Sequence, residues 1–85
     1  MPTNQNVNPR VREVISRVFE VDASEFSPNT RRGELVRWDS LGHLTLIEAL
    51  CSEFKIEVPP EDALAMESVD DITRIVGTLV DGASS

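Results

Sequence analysis

Asp39, Ser40 and His43 bring a carboxylate, a hydroxyl and the chain's single imidazole within five residues of one another. Two chemistries use such a set. Serine beside histidine is the pairing of nucleophilic catalysis, in which the imidazole takes the hydroxyl proton. His43 follows Ser40 by three residues, so a helix puts both on one side. That chemistry also needs a third group to orient the imidazole, and in one common form a G-x-S-x-G elbow to expose the serine. The chain has no such elbow, no obvious orienting group and no second histidine. His43 reads instead as a surface histidine, or as one facing a partner or a flexible arm. The second chemistry is anchorage. Asp39 and Ser40 both suit a helix start, where one side chain accepts from the free amides of the first turn. If Asp39 caps, Ser40 keeps its hydroxyl at the exposed tip, where unpaired N–H groups and the helix dipole favour an attached phosphate. If Ser40 caps, its hydroxyl is only structural. The local pattern leaves both open.

The elements that position these residues follow from apolar spacing. Asn8 and Pro9 predict the opening of a first helix, as cap and first helical residue. Val11, Val14, Ile15, Val18 and Phe19 form its stripe, and it ends near Glu20. Residues 21–38 read as a long loop with turn formers at Pro28, Asn29 and Gly33. Val21, Phe26, Leu35 and Val36 are expected to pin it, with one helical turn around Ala23–Phe26. Trp38 either pins this loop to the next helix or lines a partner or cargo surface. The second helix runs from Ser40 to Phe54, with Leu41, Leu44, Ile47, Leu50 and Phe54 as its ladder and Leu46 and Cys51 widening it. "KIEVPP" stops it, because a residue before proline resists the helical region. Pro60 opens a short third helix. Ser68 caps a fourth, with Asp71 at capping-box spacing and Val69, Ile72, Ile75, Val76, Leu79 and Val80 as its buried face. Only "KIEV" is a strand candidate, and it is short. The expected fold is all-α, a small four-helix bundle of three longer helices and one short one, with a long first loop. The second helix, widest in apolar stripe, is expected at the centre of contacts. Residues 9–80 form the expected domain, between flexible ends at 1–8 and 81–85.

Eighty-five residues make one small domain with a thin core, better suited to serving partners than to walling off an active site. The net charge of −7 argues against nucleic acid, which demands a basic footprint. Residues 1–37 hold six Lys/Arg against five Asp/Glu, a net of +1, and residues 38–85 hold two against ten, a net of −8. The acidic half thus begins beside Ser40, as a solvated surface or a docking face for basic partners. A lone Cys51 excludes an internal disulfide or a cysteine metal cluster and reads as a core-edge residue. The acidic residues lack calcium-loop spacing, so no metal site is expected. "MPTNQNVN" lacks the features of a signal peptide, and no apolar run reaches a membrane span. A cytoplasmic monomer is expected.

"WDSLGHLTLIEAL", with Asp39-Ser40-Leu41 and the ladder behind it, resembles the acyl carrier protein family. "FKIEVPPEDA" and "SVDDITRIV" resemble that family's later segments, and the likeness spans residues 9–80. The resemblance implies that Ser40 carries 4′-phosphopantetheine, added from coenzyme A by a separate phosphopantetheinyl transferase. The arm's thiol would hold an acyl or aminoacyl group as a thioester, and the protein itself would catalyse nothing. Asp39 would support the metal-dependent attachment, and Leu41 would be an apolar contact for partners. Those partners would be the transferase, an acyl- or aminoacyl-loading ligase, and downstream synthase or transferase enzymes. The second helix departs from the strongly acidic one of fatty-acid carriers, since only Glu48 and Glu53 are acidic there. Trp38 and "GHL" are closer to discrete carriers of specialised pathways. Partner contacts are therefore expected at Leu41, His43 and Glu48, and at Glu61 and Asp62 of the later acidic patch. Two rival readings are an unmodified helical adaptor, binding a partner helix along Leu41–Leu46, and a small hydrolase using Ser40.

Overall fold

Among the described residues the elements are four α-helices and one 3-10 turn: α1 (Thr3–Phe19), the turn Ala23–Glu25, α2 (Ser40–Phe54), α3 (Pro60–Ala65) and α4 (Val69–Ser84). They are taken from a computed structural model that describes residues 3–84 and the side chains of residues 9–82. No helix is long and apolar enough to cross a membrane among the described residues.

The stripe of α1 packs as its spacing demands, with Val11, Val14, Ile15 and Phe19 fully buried and Val18 at the edge. The helix begins at Thr3, ahead of the expected Asn8 cap, and Pro9 lies inside it. Proline's locked φ is itself a helical value, so the polar segment before it extends the helix at the loss of one backbone bond. At the other end α4 runs on to Ser84, so the helix includes residues 81–84 of the expected loose tail. Residues 1, 2 and 85 lie outside the described residues.

α1, rather than α2, is the central element, since it packs against both α2 and α4. The reason lies in how α2 is turned. Its buried residues are His43, Leu46 and Leu50, while Leu41 and Leu44 are 73% and 61% exposed. The expected ladder included both of those leucines. Apolar residues surround much of this helix, so spacing alone did not fix which arc faces inward. Trp38 selects the arc: it is fully buried, stacks on Phe19 at 5.7 Å and stacks on His43.

The long loop is pinned through Phe26, with Val21 and Leu35 half-buried against the core. Val36, expected to join them, is 96% exposed. Much of the anchoring is backbone pairing to the α3–α4 link. Arg32 N–H donates to Glu67 (2.8 Å), Val69 N–H to Thr30 (2.9 Å) and Asp70 N–H to Pro28 (2.9 Å), around one isolated bridge between Arg31 and Ser68. Lys55–Val58 forms no strand. α2 ends because Lys55 turns left-handed (φ 55°) and sends its N–H back to the Cys51 carbonyl, before the prolines act. At the start of α4, Ser68 Oγ accepts from Asp71 N–H (3.1 Å), and the Asp71 carboxylate accepts from Glu67 N–H (3.3 Å). The expected Ser68 cap thus forms, and only the return bond of the capping box is displaced by one residue, to Glu67.

Candidate functional site

The mouth of α2 resolves the choice between its two capping residues. Asp39 holds an extended backbone (φ −104°, ψ −166°), and its carboxylate accepts from the Gly42 N–H at 2.8 Å. Its carbonyl takes the His43 N–H at 2.8 Å. Ser40 is then the first helical residue, exposed, with its hydroxyl not used in capping. The chain can approach this closely because residue 42 is glycine. A Cβ there would sit on the Arg37 backbone carbonyl, so the end of the loop crosses the first turn of α2 in direct backbone contact. The sequence reading had no signal for that approach.

His43 is not a surface or partner-facing residue, and it is no general base for Ser40. It is 6% exposed, and both ring nitrogens are committed. Trp38 Nε1–H donates to His43 Nδ1 at 3.0 Å. The indole N–H can only donate, so Nδ1 must accept, and His43 Nε2–H donates to the Ala63 carbonyl at 2.8 Å. This relay joins the loop, α2 and α3. Burial first, and the positive Arg32 second, push the His43 pKa below its usual value, against the opposing pull of the Ala63 carbonyl. The ring is therefore neutral, as its hydrogen bonds require. A polar residue inside an apolar ladder was the signal available in the sequence, and its two bonds explain why it faces inward.

The remaining candidates divide by face. Leu41 and Leu44 stand exposed along α2 behind Ser40, and Val36 stands exposed on the loop before it. Leu46 is fully buried, so the Leu41–Leu46 edge of the adaptor reading shrinks to Leu41 and Leu44. Glu48 is exposed and unpaired among the described residues, whereas Glu53 is held by Arg10 (3.2 Å) and Arg17 (3.5 Å) from α1. The Arg10 hydrogen bond leads in keeping the Glu53 carboxyl below its usual pKa. Glu61 is exposed and Asp62 half-buried on α3, which the His43–Ala63 bond draws beside the first turns of α2. Farther on, Glu67 pairs with Arg31 (2.9 Å) and Asp71 with Arg74 (2.6 Å). Among the described residues no cluster of three or more His, Cys, Asp or Glu has the arrangement of a metal site.

An exposed hydroxyl on a rigid helix tip, with no acid or base aimed at it, is suited to holding a group rather than transforming one. The comparisons with known proteins agree. The family model of the phosphopantetheine attachment site matches residues 9–76. The chain is 35% identical over 66 residues to the acyl carrier protein of Helicobacter hepaticus, covering 78% of this chain and 87% of that one. Its fold matches the solution NMR structure of the holo acyl carrier protein from Geobacter metallireducens with a TM-score of 0.77 at 25% identity, over 99% of this chain and 92% of that one. This chain belongs to the acyl carrier protein family, whose members are carriers rather than enzymes and bear a covalent phosphopantetheine.

Proposed function

We propose that Ser40 is the residue to which 4′-phosphopantetheine is joined, with residues 9–80 as the carrier unit. The observation that supports this most directly is the cap: Asp39 satisfies the Gly42 amide, so the Ser40 hydroxyl stays available at an exposed helix start. The site's own residues fit the group. The positive end of α2 faces the position a phosphodiester on Ser40 would take. Ser40 Oγ attacks the pyrophosphate of coenzyme A, forming a P–O bond and losing its proton, while the nucleotide half departs. A separate phosphopantetheinyl transferase supplies the catalytic groups, and Asp39 holds the serine in place. The arm supplies a thiol that carries an acyl or aminoacyl group as a thioester.

Partners then read the face around the tip. Leu41 offers apolar contact, Glu48 is the free carboxylate of α2, and Glu61 and Asp62 extend the acidic surface. An α2 with one unpaired carboxylate and two exposed leucines supports apolar contact along that helix, with charge supplied by the neighbouring α3, and this weakly acidic α2 favours a specialised-pathway carrier. The loading ligase and the downstream synthase or transferase set the cargo. The protein acts as a cytoplasmic monomer.

Intact mass tests the proposal. Incubation with coenzyme A and a broad-specificity transferase is expected to add one phosphopantetheine, and Ser40→Ala to abolish the addition. An unmodified adaptor shows no increment with either protein.

A further inference from the structure

A cleft lies beside the Ser40 tip, lined by residues on either side of Ser40 and not by Ser40 itself. It has a volume of about 340 Å³ and lies between the end of α1, the end of the loop and the first turns of α2. Asp39 and Leu41, the two neighbours of Ser40 in the chain, both line it. Its apolar walls are Val18, Val36 and Leu41, over a floor at Phe19, and Arg37 stands among them. Val36 and Leu41 are the two most exposed large apolar side chains of the molecule's described part. Gly42 also lines it, where the loop backbone at Arg37 lies directly against the helix.

We infer that this α1–loop–α2 cleft is a resting site for the phosphopantetheine arm itself. The inference rests on Ser40 being the attachment point. The chemistry of the walls follows the chemistry of the arm. Nearest the serine the arm carries a phosphodiester, and Arg37 is the cation in the cleft. Its present pair with Glu20, at 3.4 Å with both side chains largely exposed, is weak and leaves the guanidinium available. Next along the arm comes a geminal dimethyl group, and the exposed methyls of Val36 and Leu41 offer it apolar cover. The tether removes the need for strong contacts. An arm fixed between two residues of the cleft is present at an effective concentration in the millimolar range, so a site of about millimolar affinity is substantially filled. It also empties readily when a partner competes for the arm.

Methyl NMR of the labelled protein, before and after modification with unlabelled coenzyme A, tests this separately from the attachment itself. Mass first identifies the modified material. In that material the Val18 methyls, remote from Ser40 in sequence, are expected to shift together with those of Val36. Cross-relaxation is expected between the geminal dimethyl protons and Val36 or Leu41. In Val36→Asp protein purified as the modified form, the Val18 shift is expected to vanish. Modified protein whose changes stay within residues 39–42, or fall instead on Leu64 of α3, overturns the inference and leaves the attachment standing. So does a Val18 shift that survives in the Val36→Asp protein. Absence of the mass increment overturns both.

Discussion

At the scale of single residues, His43 is where burial and protonation meet. The folded protein needs the neutral ring, because a proton on Nδ1 would face the Trp38 N–H, donor against donor. Its folded pKa lies below the unfolded value of about 6.5, so the unfolded chain binds the extra proton first as pH falls. Stability is therefore expected to hold above pH 6.5 and to fall below it, by at most about 1.4 kcal/mol per pH unit for this one group. Urea melts across this range check the slope, and His43→Gln, which cannot titrate, is expected to flatten it. Glu53 and Asp71, both held below the usual carboxylate range, act at lower pH, so the windows separate. Gly42→Ala is a second residue-scale test. Helix propensity alone favours alanine by up to about 1 kcal/mol. The overlap with the Arg37 carbonyl opposes this, and a net loss of about 1–3 kcal/mol is expected in denaturant melts.

At the scale of elements, α2 holds its place by a cap at one end and a buried arc along its length. Asp39→Ala removes the acceptor for the Gly42 amide and is expected to cost about 0.5–2 kcal/mol. It also frees Ser40 to take over as cap. The rate of phosphopantetheine addition should then fall further than the stability loss explains, which a mass time course at a temperature where both proteins stay folded would show. Leu46→Ala and Leu44→Ala separate the true arc from the ladder read by spacing. Leu46 is fully buried and is expected to cost about 2–5 kcal/mol, while exposed Leu44 should lie within about 0.5 kcal/mol of neutral. Equal costs would contradict the orientation of the helix.

At the scale of the whole molecule, charge is divided along the chain, and the arginines of the first half pair mostly with carboxylates of the second. Arg10, Arg17, Arg31 and Arg37 are each paired with a carboxylate. Glu48, Glu57, Glu61, Asp62 and Asp70 are left without ion pairs among the described residues, and these supply the outward field. A basic partner should therefore associate more slowly as salt rises, by roughly tenfold over the range in which surface charges become screened. Reversing Glu61 and Asp62 together to lysine should remove most of that salt dependence, and a loading assay at two ionic strengths decides it. Turnover unaffected by the reversal would place the docking face elsewhere.

The sequence alone determined the order and type of the helices, their ends at Phe54 and Ser68 and the all-α class. These depend on interactions within a few residues: caps, turn formers and the repeat of apolar side chains. Only the tertiary structure decided that Asp39 takes the cap, that α1 is the hub and that Leu41, Leu44 and Val36 face outward. It also drew His43 inward to Trp38 and Ala63. Such choices are set by which arc of an apolar helix another element covers. That depends on a loop residue, Trp38, and on a carbonyl twenty residues downstream at Ala63, contacts that no local spacing encodes.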